Sequence, residues 1–323
     1  MIDNDWDLID LITGYQPAAV ITTAQRIGVF EALGSTPVPV EDLASKLAAD
    51  PSNLGALLEA LRSLSLVESY EGAYAATLYT TQRLGPGGDM ALVVAKEAVF
   101  ADAWMKLDQV ILEGRPAMLP WNALLRTDSG QARAFLEALD VLARIVGPPL
   151  QQLAELAPGK RVVDVGGGLG TYSRRLDAAG SRVTLVDLPP VAEWAAELLA
   201  GTGVSIIGVD LFNHPSCGVP VASMDAALVS HLLHDLPRSQ GVDLLRRVRS
   251  VLVPGGRVVV NDFSADSGPG AFGTLFDLMM RVETGGAAHP RRDLESMLLE
   301  AGFIQLRMLA YEDPLTVLVG TKE

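Results

Sequence analysis

A β-branched run that empties into a cluster of glycines restricts this chain more than any other feature. Arg161 to Val165 (RVVDV) reads as a buried strand of a parallel sheet. Gly166, Gly167, Gly168 and, after Leu169, Gly170 follow it, and Thr171 to Ala179 has helical character. Strand, glycine turn and helix bring a backbone close to a ligand with no side chain in the way. A second run, Ser181 to Asp187 (SRVTLVD), ends in an acid seventeen residues after Gly170, with Leu188 next. An acid at the tip of the neighbouring parallel strand is placed to accept hydrogen bonds from two ribose hydroxyls. Together the two stretches specify a nucleoside cofactor.

Spacing selects among such cofactors. A dinucleotide fingerprint needs G-x-G-x-x-G, and counting from Gly166 the last glycine falls on Thr171. No Walker sequence is present either. The pattern is D-x-G-x-G-x-G, with Asp164 just ahead of the turn. An acid beside the turn repels phosphates and suits a ligand with a cationic amine, which points to S-adenosylmethionine. The competing reading is a glycine turn that merely joins strand to helix, and Asp187 weighs against it.

From Arg161 onward strands and helices alternate. Further strands are expected at Val204–Val209, Met224–Ser230, Arg257–Asp262, Ile304–Leu309 and Thr316–Gly320, with helices at 237–252, 271–284 and 291–301. This is an α/β class, a doubly wound and mostly parallel Rossmann-like sheet with ligands at its C-terminal strand ends. At 323 residues and 49% hydrophobic composition, the chain has room for a second unit. Residues 1–90 supply it. A helix over Tyr15–Leu33, a short helix over Glu41–Ala48 and a helix beginning at Pro51 under an Asp50 cap precede a hairpin of Leu66–Tyr70 and Ala73–Thr77. That order is winged-helix-like. After the break at Leu84–Asp89, residues 91–323 are read as a helical linker (91–112 and 132–156) plus the cofactor domain. Phe100, Trp104, Trp121 and Phe135 in the linker are candidate pocket walls, with plain core packing as their other role.

The net charge of −14 argues against nucleic acid and anionic membrane as partners. The helix after Pro51, which would be the recognition helix of a DNA reader, offers Arg62 against Glu59 and many leucines, so it is built to pack, against a second subunit, and not to read DNA. No apolar run reaches a membrane span. The acidic MIDNDWDLID start lacks a signal peptide's basic region, and the single cysteine, Cys217, excludes an internal disulfide. A cytoplasmic protein is expected. Apolar helices in excess of what so small a first unit can bury predict a homodimer.

Four histidines are present: His214, His231, His234 and His289. His231 and His234 fall just after the Met224–Ser230 strand, and Asp262 ends another strand at the same sheet edge. A histidine backed by a carboxylate is a general-base arrangement. The rival reading, a metal held by His231, His234 and Asp235, has no further Cys/His cluster behind it, and no metal is expected. No G-x-S-x-G nucleophile motif occurs.

These pieces resemble the small-molecule O-methyltransferase family that includes the plant caffeic acid and flavonoid enzymes. The resemblance runs almost end to end: IGVFEAL, VEDLASKLAADPSNLGALLEALRSLSLVE, VVDVGGGLGTYSRRL, VDLPPV, GVDLF, HLLHDLP, LVPGGRVVVNDF and FDLMMRVETGG. It implies that Gly166, Gly168 and Gly170 line the methionine part of S-adenosylmethionine, with Asp164 ahead of them. Asp187 and Leu188 would meet the ribose, and Asp210 and Leu211 would flank the adenine. Ser230 stands where a basic residue is often found near that base. His234 takes the place of the family's catalytic base, and Asp262 that of a Glu bonded to it. Met279 and Met280 match the region holding the acceptor's ring, with His231 and Asp235 beside it. The chain departs from the family's H-D-W-x-D-E, having Leu236, Pro237, Arg238 and Ser239 after Asp235, and has Ala287-Ala288 where a second acid is expected.

The expectation is methyl transfer from S-adenosylmethionine to a hydroxyl of an aromatic or polyketide-type small molecule in bacterial secondary metabolism. The alternatives are a non-methylating enzyme on the same scaffold and a ligand-sensing winged-helix regulator.

Overall fold

The computed structural model describes residues 2–309 and 314–323. The chain divides into two compact units, Met1–Asp102 and Ala103–Glu323.

In the first unit, Asn4 caps the helix Asp5–Thr13 by accepting from the Trp6 and Asp7 amides. The expected Tyr15–Leu33 helix is two, Tyr15–Arg26 and Val29–Ala32, because Gly28 takes a left-handed conformation (φ 81°) between them. Val40–Leu47 and Pro51–Ser63 follow, the second capped by Asp50, which accepts from the Asn53 amide. Strand β1 (Val38–Pro39) pairs with β3 (Ala73–Ala76), which pairs with β2 (Val67–Tyr70). Phe30, Leu33, Leu43, Leu54, Leu58 and Leu61 form the centre of this unit's core. Leucines at 54, 58 and 61 recur at helical spacing, so the Pro51–Ser63 helix turns its apolar stripe inward. Its one cation, Arg62, is bound to Glu59 at 2.7 Å.

In the second unit the strands are β4 (Arg161–Val165), β5 (Arg182–Asp187), β6 (Ser205–Gly208), β7 (Met224–Ser230), β8 (Leu252–Phe263), β9 (Phe303–Leu309) and β10 (Leu315–Lys322). Their order is β6-β5-β4-β7-β8-β10-β9. β6 through β8 are parallel, and β10 runs antiparallel to both β8 and β9. Chain order reverses about β4, which puts a crevice beyond its carboxyl end, between the β5 side and the β7 side. Val162, Val163 and Val165 are fully buried, as a strand covered by helices on both faces requires.

The linker departs from expectation. Residues 91–112 form two helices, Met90–Trp104 and Leu107–Glu113, and the turn at Met105–Lys106 has no Gly or Pro to announce it. Residues 132–156 also split, into Ser129–Val146 and Leu150–Leu153, here because Pro148 and Pro149 lack the amide hydrogen a helix needs. Trp121–Thr127 and Pro189–Leu198 are additional helices.

Candidate active site

The glycine turn is shaped by backbone conformation. Gly166, Gly168 and Gly170 all have positive φ (69°, 55° and 85°), a region that disfavours side chains. A Cβ at Gly166 would press on Leu232, and one at Gly170 on Leu199 and Leu185. A Cβ at Gly168 would instead project into open space. That space belongs to a cavity of about 520 Å³.

Acids frame the turn. The Asp164 carboxylate is buried and accepts from the Ser173 hydroxyl at 2.7 Å, while its Oδ1 has no protein partner. Burial pushes Asp164 up to about 6, with Asp187 adding to the shift. Asp187 accepts the Gly168 amide at 2.8 Å and the Leu188 amide at 2.7 Å, and burial also raises it to about 6. Asp210 accepts from the Phe212 amide and the Asn213 side chain. Arg247 donates to the Leu211 and Phe212 carbonyls at 2.7 and 2.8 Å, which pins that loop. The open cradle at Gly168, the unpartnered Asp164 oxygen and a wall of carboxylates fit a cationic, ribose-bearing cofactor. S-adenosylmethionine has both properties.

At the other side of the crevice the chain leaves β7 through His231, itself left-handed (φ 51°), into a short turn, Leu233–Asp235. His234 is buried there. Its Nδ1 donates to Oδ1 of Asp262 in a short hydrogen bond, and Asp262 also accepts the Leu233 and Phe263 amides. Burial opposes the His234 imidazolium, but the charge of Asp262, then that of Asp235, outweighs it and raises the group to about 9. Asp262 is held below the usual carboxylate range: burial works against the shift, and the His234 charge and hydrogen bond overcome it. Nε2 of His234, the nitrogen not engaged by Asp262, lies 3.7 Å from Asp235 Oδ1. Burial drives His231 down to about 4, so this ring is neutral.

His231, His234 and Asp262 bring possible ligand atoms within 4.8 Å of one another. The Asp262 oxygens, however, are already engaged by Nδ1 and two amides, an arrangement that orients a proton-transfer imidazole.

Asp164, Gly166, Gly168, Asp187, Leu188, Asp210, Leu211 and Ser230 all line the cavity, as do Phe135, His231 and Asp235. Gly170 does not; its place is the packing of the helix start. His234 stands beside the cavity rather than in its lining, 6.1 Å from the His231 ring and edge-on to Phe276 at 5.1 Å. Met280 is buried in a cluster with Phe276 and Ala288, and Met279 packs on it; neither reaches the cavity wall. Trp104 is half-buried away from that lining, and Phe100 lies in the first unit, buried under the Lys96 ammonium.

Sequence reasoning named Phe135 on the Ser129–Val146 helix and overlooked the rest of what that helix contributes. Leu136, Leu139, Asp140 and Ala143 line the cavity, and Asp140 accepts from the Thr171 hydroxyl at the start of the helix after the glycine turn. An acid set within an apolar i, i+3, i+4, i+7 stripe was the available signal.

Residues 104–304 match the model of the O-methyltransferase domain, and residues 9–85 that of the O-methyltransferase dimerisation domain. The chain is 27% identical to the 3-hydroxy-5-methyl-1-naphthoate 3-O-methyltransferase of Streptomyces sahachiroi, over 95% of this chain and 92% of that one. It is 28% identical to the mitomycin biosynthesis 6-O-methyltransferase of Streptomyces lavendulae, over 91% and 87% of the two chains. The structure of human N-acetylserotonin methyltransferase in complex with S-adenosylmethionine superimposes with a TM-score of 0.87 at 23% identity, covering 99% of this chain and 98% of that one. With more than half of its length matched by the O-methyltransferase domain model, the chain belongs to the O-methyltransferase family.

Proposed function

We propose that this enzyme transfers a methyl group from S-adenosylmethionine to a hydroxyl of an aromatic or polyketide-type small molecule, with His234 as general base. The observation that carries this reading is the His234–Asp262 pair: Asp262 occupies Nδ1 and leaves Nε2 as the nitrogen that takes the hydroxyl proton. When bound, S-adenosylmethionine supplies the electrophilic methyl. The chain's own work is to hold the acceptor oxygen in line, exclude water and accept the proton at Nε2. Relatives named for naphthoate and mitomycin methylation support a ring-bearing acceptor. The relatives named above are methyltransferases, and the helix a DNA reader would use offers a single cation, Arg62, with Glu59 paired to it.

We read residues 1–90 as the dimerisation unit and 91–323 as the linker and catalytic domain of a cytoplasmic homodimer. Among the described residues no helix is long and apolar enough to cross a membrane. The test is methyl transfer from labelled S-adenosylmethionine to a panel of naphthols and hydroxyquinones, with S-adenosylhomocysteine quantified alongside. Matched yields of methyl ether and S-adenosylhomocysteine are expected. Product formed without S-adenosylhomocysteine would sink the proposal.

A further inference from the structure

His289 is a buried histidine that the proposed chemistry does not use. Its Nε2 lies 3.2 Å from the Leu233 carbonyl and 3.1 Å from the Leu236 carbonyl. Both neighbours are acceptors only, so Nε2 carries the proton and donates to both. These carbonyls bracket the turn that holds His234. The main chain of His289 is tied elsewhere: its carbonyl accepts the Ser264 hydroxyl at 3.1 Å, and Ser264 is two residues beyond Asp262. One residue therefore joins the strand that carries the acid to the turn that carries the base.

The segment before His289 tightens the same joint. The Ala287 amide donates to the carbonyl of His234 at 2.9 Å, and the Ala288 amide to Asp277 at 3.0 Å. Gly286 packs so closely that a Cβ there would collide with the His234 carbonyl. With the turn's carbonyls bound from this side, rotation of the Leu233–Leu236 backbone would leave buried donors unpaired, which is costly. We propose that His289 is a positioning residue: its Nε2–H clamps the carbonyls of Leu233 and Leu236 and so sets the direction in which His234 Nε2 points. This rests on His234 being the base.

The experiment is long-range ¹H–¹⁵N spectroscopy of the histidines in the full-length protein, combined with turnover. In the wild type, Nε2 of His289 should carry a proton. In H289A the His234 Nδ1 signal should move or broaden and kcat should fall about tenfold to 100-fold, the cost of sub-ångström to ångström misplacement, while the KM for S-adenosylmethionine holds. H289Q, whose amide nitrogen can reach the position of Nε2, should recover most of both. Should H289A fail to fold, H289M fills the site without a donor. An Nδ1–H tautomer in the wild type, or an unchanged His234 spectrum in the folded donor-less variant, would overturn the clamp. The spectra need no acceptor, whereas failure of the base assignment appears separately, as intact turnover in H234A.

Discussion

Asp187 closes the glycine turn from the neighbouring strand, one carboxylate oxygen taking the Gly168 amide at 2.8 Å and the other the Leu188 amide at 2.7 Å. The acid proposed to meet the ribose is thus also the acid that shapes the cradle. Burial raises Asp187 and Asp164 to about 6, so both are increasingly protonated below that pH. A cationic ligand needs them ionised. Calorimetric affinity for S-adenosylmethionine should therefore be flat above neutrality and fall as the pH drops through about 6, with proton release on binding in that region. An affinity that stays constant down to pH 5 would exclude coupling to these acids.

His234 behaves in the opposite sense. Its pKa, raised to about 9 against an ordinary 6.5, keeps the free enzyme's imidazole protonated at neutral pH, and only the neutral ring accepts a proton. The ratio kcat/KM should rise about tenfold per pH unit through neutrality and level off near 9, since this ratio reports free-enzyme ionisations. The same shift stabilises the fold below pH 6.5, and that contribution is lost as the pH rises through 9. H234A should lose on the order of 10²–10⁴ in kcat. Near-wild-type kcat in that variant would leave catalysis to positioning alone.

Asp235 gives a finer test of the same balance. Its Oδ1 lies 3.7 Å from Nε2, and its charge is second only to that of Asp262 among the influences raising His234. D235N should lower the His234 pKa and move the rising limb of the kcat/KM profile to lower pH. An unmoved limb would show that Asp262 acts alone.

The cofactor half of this site was legible in the sequence because local rules govern it. Gly166, Gly168 and Asp187 sit at strand ends, where β-branched runs and glycines fix position within a residue. The acceptor half was legible only in part: Phe135, His231 and Asp235 line the cavity, and the two methionines do not. Met279 and Met280 lie on a helix whose rotation decides which side chain meets the cavity, and Phe276, Phe263 and Ala288 pack them into a cluster behind His234. The turn at Met105–Lys106 and the inward face of Asp140 likewise depend on tertiary packing. His234 with Asp262 was readable because the one follows β7 and the other lies at the carboxyl end of β8, parallel neighbours at one sheet edge.

Gly168 separates backbone strain from steric filling. Its φ of 55° suits glycine, yet a Cβ there meets no protein atom within 4 Å. G168A should cost only about 1–2 kcal/mol of stability, from the left-handed conformation, while S-adenosylmethionine binding weakens by more than tenfold because the methyl occupies the cradle. Thermal unfolding and calorimetry on one variant separate the two effects. A variant that binds as wild type would mean the cofactor does not approach this part of the turn.

The helix Asp5–Thr13 contains no buried residue, and Trp6, Leu11 and Ile12 are 77%, 64% and 62% exposed. Isolated helices of nine residues are marginal in water, so this one needs a partner to cover its apolar side chains. The dimerisation-domain match begins at residue 9, which makes a second copy the expected cover. Sedimentation should give a dimer at micromolar concentration with a concentration-dependent Tm. W6S/L11S/I12S should shift the equilibrium towards monomer and remove that dependence. A triple variant that sediments as the wild type would place the dimer interface on other surfaces of the chain.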